Sequence, residues 1–316
     1  ANYVHKGWKG GRYGIPKGPV SWPPVPAAAG FPVAWQRRML YIRDDAPEGL
    51  NYLILRDSVQ GGKPSLWQMW TATEKIGTPA QVQDLDAFLA DSPGKTPVPA
   101  HELQGNRLTA VGRFGVDVEY YIASPAEARP WTMHWSQHYV DYSVTGDDYR
   151  DLLQLRLDGD GEYFVAMFPR FRTESAPVFT AMGDGTVIKI SGKSGTDYCF
   201  LPGKETDTQA DDAHFRGTVG SVQDRQEDLV LATGAAGEVG YHGYAIAAPQ
   251  AASLRIAADT LVVRLSYDAR NGGTATLKLT GRWRLAPGQA GVTMTTVPGG
   301  YKLMLAAGVT QAELEQ

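Results

Sequence analysis

Three apolar runs in quick succession, Trp35 to Thr71 (WQRRMLYIRDDAPEGLNYLILRDSVQGGKPSLWQMWT), limit what this chain can fold into more than any other stretch. Met39, Tyr41 and Leu53, Leu55 recur at period two, as strand residues sharing one face do. Leu40, Ile42 and Ile54 fill the positions between them, so the opposite face is apolar too. A strand that is apolar on both faces needs cover on both, which places these runs in a sheet inside a thick sandwich. Asp44-Asp45 to Asn51, with Pro47 and Gly49, reads as one turn, and Gln60 to Pro64, with Gly61-Gly62, as the next.

The rest of the chain carries the same signature. Thr109–Ile122, Trp131–Val144, Leu152–Leu157, Tyr163–Phe168, Thr186–Ser191 and Asp197–Leu201 read as strands, separated by Gly-Asp turns. After them Leu254–Ile256, Leu261–Tyr267, Thr274–Leu279, Val292–Val297 and Tyr301–Leu305 alternate as a meander would, one face buried and one wet. Pro79 to Leu89 is the one helical candidate before residue 220, with Val82, Leu85, Phe88 and Leu89 at helical spacing over one or two turns. The expected fold is therefore all-β: a large antiparallel β-sandwich of the supersandwich kind, with room for a second, smaller sheet towards the C-terminus. Residues 1–34, rich in Gly, Pro and aromatics, read as an extended arm, 35–205 as the main sandwich and 206–316 as a C-terminal sheet region.

Composition narrows the function classes. A net charge of -4 with Lys and Arg scattered along the chain leaves no electrostatic footprint for nucleic acid. No apolar run reaches the ~18–20 residues of a membrane-spanning helix. The single cysteine, Cys199 between Tyr198 and Phe200, excludes an intrachain disulfide and reads as a buried, inert thiol. A chain opening on Ala1-Asn2-Tyr3 reads as processed or excised, and a secreted or periplasmic location is the expectation. There is no Walker loop, no Gly-x-Ser-x-Gly elbow and no HExxH, so the expectation is no organic cofactor.

The pattern WxRxxLxIRD…NYLxLRDS resembles the start of the C-terminal β-sheet half of heparinase II/III-like polysaccharide lyases, the matching residues being Arg37 or Arg38, Tyr41 and Asp57. Gly161–Arg170 and Gly195–Leu201 are similar to later strands of that half, so that the likeness covers roughly residues 35–285. The resemblance implies an acidic polysaccharide as partner. It also implies β-elimination at a site between this half and an α/α toroid that supplies a tyrosine and a histidine, with a histidine loop and often a metal built from His and Asp. The 316 residues hold no helical half and no His-x-His loop before Trp35, and Trp67-Gln-Met-Trp70 stands where some members place a histidine. A helical half or another subunit is therefore an implied partner, and the chain alone is expected to show little or no turnover. The alternative is a non-catalytic carbohydrate-binding or structural sandwich.

The residues offer several candidates. Tyr3 and His5 are the candidate acid and base, and Lys6 and Arg12, with Trp8 as a stacking platform, the candidate carboxylate binders; a mobile basic arm is the competing account. His134 and His138 lie on the strand face opposite Trp131, Met133 and Trp135 and suit a uronate or a single divalent metal, against the plainer account of a polar solvent face. Tyr241-His-Gly-Tyr244 sets hydroxyls and an imidazole together but is better explained by core or edge packing around a bulge or turn at Gly243, and the Asp-Gly pairs as hairpin turns. Trp8, Trp22, Trp67 and Trp70, closest to turns, are the tryptophans expected at the surface for sugar stacking. Asp57 is expected to be poorly exposed and hydrogen-bonded at a strand end.

Overall fold

The computed structural model describes residues 34–44, 49–61, 65–71, 73, 75–78, 81–84, 101–112, 114–136, 151–159, 161–226, 228–257, 260–265 and 272–316. All regular structure among them is β. The first part of the chain forms β1 (Ala34–Ile42), β2 (Tyr52–Gln60), β3 (Ser65–Thr71), β4 (Lys75–Thr78), β5 (Gln81–Asp84), β6 (His101–Glu102), β7 (Arg107–Val111), β8 (Val116–Ser124), β9 (Pro130–Ser136), β10 (Asp151–Gly159) and β11 (Glu162–Phe171). Seven of these strands make one antiparallel sheet, ordered β1-β2-β11-β8-β7-β4-β5, and β3-β10-β9-β6 make a second.

The remainder forms β12 (Val178–Met182), β13 (Val187–Gly192), β14 (Gly195–Phe200), β15 (Thr206–Ala210), β16 (Ala213–Gly217), β17 (Gly220–Arg225), β18 (Leu229–Thr233), β19 (Gly237–Tyr241), β20 (Tyr244–Ala248), β21 (Ala252–Ala257), β22 (Thr260–Leu265), β23 (Gly273–Lys278), β24 (Arg284–Leu285), β25 (Val292–Val297), β26 (Gly300–Leu305) and β27 (Gln311–Glu315). A nine-stranded sheet runs β12-β13-β14-β17-β18-β21-β22-β27-β24, and a seven-stranded sheet runs β15-β16-β19-β20-β23-β26-β25. The nine-stranded sheet thus takes strands from both sides of position 205.

Three cores join these sheets into four stacked layers, and the alternation of side chains along a few strands shows how. In β11, Tyr163, Val165 and Met167 pack with Trp67, Leu155 and Leu157 of the four-stranded sheet. The alternate residues Phe164, Ala166 and Phe168 pack with Ile188, Ile190, Cys199 and Leu201 of the nine-stranded sheet. β2 divides in the same way, Leu55 to one side and Tyr52 and Ile54 to the other. This two-sided burial is why Tyr52-Leu53-Ile54-Leu55 has no polar position. In β14 the alternation repeats one layer further on. Cys199 faces the central core while Tyr198 and Phe200 face the core between the nine- and seven-stranded sheets, where Phe200 stacks on Phe215 at 4.8 Å.

Four expectations from the sequence change. The C-terminal strands are not a meander. Hairpins β15-β16, β17-β18, β19-β20 and β21-β22 enter the two facing sheets alternately, so each strand's apolar side meets a partner sheet, as in Phe215, Val222, Val239 and Leu254. Gln81–Asp84 is a strand, not a helix, because it folds back on β4 with Gly77 opposite Val82 and gains ladder hydrogen bonds that one helical turn cannot match. Residues 85–89 lie outside the described residues. Thr109–Ile122 is two strands, with Arg107 opposite Tyr121. A Cβ on Gly112 would meet Val116 O at 2.1 Å, so the turn needs a glycine there. Trp67 is buried in the core between the first two sheets, whereas Trp70 is 41% exposed. Nearness to a turn did not decide exposure; the face of the strand did.

Tyr241 and Tyr244 pair across a two-residue turn in which His242 and Gly243 both have positive φ, 49° and 86°. That is the geometry of a tight hairpin. The Tyr241 and Tyr198 rings lie 5.8 Å apart, and their hydroxyls donate to Asp224 and Asp211 at 3.0 and 2.9 Å. Burial, and then the hydrogen bond to Asp211, pushes the Tyr198 hydroxyl up to about 12 from its ordinary 10.0. Between those values the unfolded chain is ionised while the folded chain still holds its proton, so the unfolded state binds fewer protons and stability falls as pH rises. Melting temperature is expected to decline across that interval, with tyrosinate absorbance rising later than in free tyrosine. A flat melting profile with ordinary titration would contradict the contacts.

Candidate functional site

A cluster of charged groups facing a concave surface lies at the seam between the seven-stranded sheet of β1–β11 and the nine-stranded sheet. It is a cavity of about 250 Å³ that opens, across Glu174, Lys193, Ser194 and Arg225, into a wider cleft of about 500 Å³. The wall on the β11 side exists because Arg170 is held from below. Its Nε and Nη2 donate to Glu119 Oε1 at 2.9 and 2.7 Å, and its Nη1 donates to the Glu174 carbonyl at 2.9 Å. Glu174 in turn accepts from the Phe171 amide at 3.0 Å, which closes the turn after β11. Glu119 is fully buried and also accepts from Thr109 at 3.0 Å.

The floor is built by β14 and β17. Asp197 lies in a strand that is otherwise apolar on this side, 3% exposed. Its Oδ2 accepts from the Tyr52 hydroxyl at 2.5 Å and from Arg225 Nη2 at 3.1 Å, and Arg225 Nη1 reaches Asp44 at 3.3 Å. Gly195, with φ of 132°, lies opposite Arg225 in the ladder, and a Cβ there would stand 2.1 Å from Asp224 O. The missing side chain is what brings the Arg225 backbone against the end of β14. Gly195→Ala is expected to destabilise the protein by ~1–3 kcal/mol through backbone strain; an unchanged urea midpoint would contradict this.

Burial raises the Asp197 carboxyl above the ordinary range, while Arg225 and Tyr52 pull it down. Burial also drives the Tyr52 hydroxyl and the Cys199 thiol well up. Cys199, buried with its Sγ 3.6 Å from the Tyr52 hydroxyl, is thus a neutral core thiol and not a nucleophile.

Beyond Arg225 no described residue packs over this face of the nine-stranded sheet, which carries the wider cleft. Inward-facing Val222, Leu231, Leu254, Leu261 and Val263 belong to the core. Their neighbours Gln223, Val230, Ser253, Arg255, Val262 and Arg264 line the cleft. Arg255 pairs with Asp228 at 2.5 Å, and Arg264 donates to Gln311 at 3.3 Å. Arg43, Lys193 and Arg264 are exposed and have no carboxylate partner among the described residues. Cavity and cleft together present Arg43, Arg170, Lys193, Arg225, Arg255 and Arg264 against Asp44, Glu174, Asp197 and Asp228, six cations to four carboxylates on a chain whose net charge is -4.

Of the residues singled out in the sequence, the described ones do not line this cleft. Tyr3, His5, Lys6, Trp8, Arg12 and His138 lie outside the described residues. His134 occupies β9 opposite Leu153, in the outermost four-stranded sheet, and its side chain lies outside the described set. Asp57 is 2% exposed, as expected, but sits within β2 and not at its end; Arg37 grips it with two bonds of 2.7 Å and Trp35 Nε1 donates at 3.1 Å. Tyr41 stands exposed on the edge strand β1. Among the described residues no group of three or more His, Cys, Asp or Glu is placed to hold a metal ion, and no helix is long and apolar enough to cross a membrane.

No family model matches the chain, and no curated protein matches it. Asp197 and Arg225, which build the floor, were missed in the sequence. The available signal was a lone acid inside the apolar strand GTDYCF, a position where aspartate is depleted.

Proposed function

We propose that this chain is the β-sandwich portion of a heparinase II/III-like protein that binds an acidic polysaccharide along the arginine-lined cleft, with β-elimination reserved for an assembly that includes a helical half. The observation that carries the binding reading is the set of three cations lining the cleft, Arg43, Lys193 and Arg264, that have no carboxylate partner among the described residues, beside the Arg255–Asp228 and Arg225–Asp197 pairs. Guanidinium groups match carboxylate and sulfate oxygens in shape as well as in charge. A long open face fits a polymer better than a compact ligand.

The described lining residues include no histidine, tyrosine or cysteine, and the groups there able to take or give a proton are carboxylates and Lys193. The excess of cations is what supports carboxylate neutralisation. The test is titration with alginate, heparin and a neutral glucan at rising salt. Binding to the two polyanions that weakens with salt is the expected result. Replacing Arg43, Lys193 and Arg264 together by alanine is expected to weaken it about tenfold, since exposed ion pairs contribute ~0.2–1 kcal/mol each. Equal affinity for the neutral glucan, or no loss in the triple variant, would overturn the reading. Growth of unsaturated-uronate absorbance with the chain alone would place a complete catalytic set on it.

A further inference from the structure

β1 ends the first seven-stranded sheet, and no described strand pairs with its outer edge. Sheets commonly blunt such an edge by keeping it short or by placing proline, lysine or a bulge in it. β1 has none of these. At nine residues it is the longest of the eight strands that end a sheet among the described residues; β5, β6 and β24 have four, two and two. Its sequence, AWQRRMLYI, holds neither proline nor lysine, and its ladder with β2 runs without a break from Ala34 opposite Gln60 to Ile42 opposite Tyr52. Its two arginines do not guard it either. Arg37 spends Nε and Nη2 on Asp57 at 2.7 Å each, and Arg38 Nη1 donates to the carbonyls of Gly203 and Pro202 at 2.7 and 3.2 Å. Their charge is turned back into the protein, while Trp35, Met39 and Tyr41, on one face of the strand, are each 61% exposed. A long, regular edge that is apolar and holds its charges inward is a place for another strand to join.

We propose that the strand that joins it is β1 of a second copy of this chain, antiparallel across a two-fold axis that passes at Met39. An axis normal to the sheet lays the strand against itself and keeps each face on its own side, so that opposed residues share a face. With Met39 on the axis, Arg38 falls opposite Leu40 and Arg37 opposite Tyr41. Arg43, just past the strand, falls opposite Trp35. Every cation then meets an aliphatic or aromatic side chain of the second copy, and two of the three meet an aromatic ring. Moving the axis to Arg37 or Arg38 sets that arginine against its own copy, and moving it to Leu40 sets Arg37 against Arg43. Like charges directly opposed across a ladder destabilise it. Among the axes that leave no cation facing another, the one at Met39 pairs the longest stretch, Gln36 to Ile42. The two seven-stranded sheets then run on as one. This inference is independent of the polysaccharide reading.

The experiment is sedimentation of the full chain over a wide range of concentration. Monomers are expected to give way to dimers and to nothing larger, because a two-fold contact closes on itself. Met39→Lys, at a side chain that is exposed in the monomer, sets two ammonium groups against each other on the axis. It is expected to weaken dimerisation about tenfold with far-UV circular dichroism unchanged. If that variant does not fold, Met39→Cys is the second one. The single native cysteine, Cys199, is buried, so oxidised glutathione is expected to link two copies through residue 39. Phe114→Cys, 91% exposed in the wild-type residue and outside β1, is the control and is expected to stay unlinked at the same concentration. A dimer that Met39→Lys leaves as tight as before, or Phe114→Cys linking as readily as Met39→Cys, overturns the proposal. So does a series of ever larger species. A chain that is monomeric at every concentration overturns it too, and leaves the edge to a strand of another protein or to residues 1–33.

Discussion

Glu119→Ala is expected to destabilise the protein by ~3–5 kcal/mol, the range for leaving a buried charge without its partner. The glutamate is fully buried, and Arg170, 12% exposed at its side chain, depends on it through two bonds of 2.7 and 2.9 Å. With the carboxylate gone, the carboxylate left near Arg170 among the described residues is Asp117 at 3.8 Å, while the bond to the Glu174 carbonyl remains. Urea unfolding measures the loss. Glu119→Gln, which keeps the shape and one acceptor, is expected to lose less, and a variant as stable as the parent would show that the ion pair contributes nothing net. Because Arg170 also ties down Glu174 at the edge of the cleft, alginate affinity is expected to fall in any Glu119 variant that still folds.

Phe164→Ala is expected to lower stability by ~3–5 kcal/mol, as for other fully buried aromatics cut back to a methyl group. Phe164 is fully buried in the core that joins the first seven-stranded sheet to the nine-stranded one, with the Arg56 guanidinium 5.0 Å from its ring. A cavity there loosens the seam from which the site is built. The expected signature is a single cooperative transition shifted to lower denaturant. Two separated transitions, only one of them shifted, would mean that the two sandwiches unfold independently.

Much of the fold could be read from the chain because burial on one or both faces leaves a pattern. Two-sided cover wrote the unbroken apolar run Tyr52–Leu55, and turns announced themselves through Gly and Asp. The pairing of distant strands left no such mark. Nothing in Val82 says that Gly77 will lie opposite it, and period-two alternation in Leu254 or Leu261 is the same whether the covering layer is solvent on one side or a second sheet. The site was less legible still. Its floor joins Tyr52, Asp197 and Arg225, and Tyr52 is 145 residues from Asp197. Histidines and tyrosines drew the eye because chemistry favours them, whereas the cleft is made of arginines whose scatter along the chain looked like ordinary surface. They converge because alternate strand positions at Arg225, Arg255 and Arg264 bring them to one sheet face, where they line the cleft.

The alternation of hairpins between the two C-terminal sheets has a consequence for how the molecule is assembled. Each new pair of strands docks beside an earlier pair in its own sheet and against the pair just laid down in the other. No long connection has to cross a finished face. A sandwich wound in this way closes progressively from one end, like lacing drawn tight eyelet by eyelet, so the order in which the ribosome delivers the strands is also an order in which apolar surface can be covered as it appears.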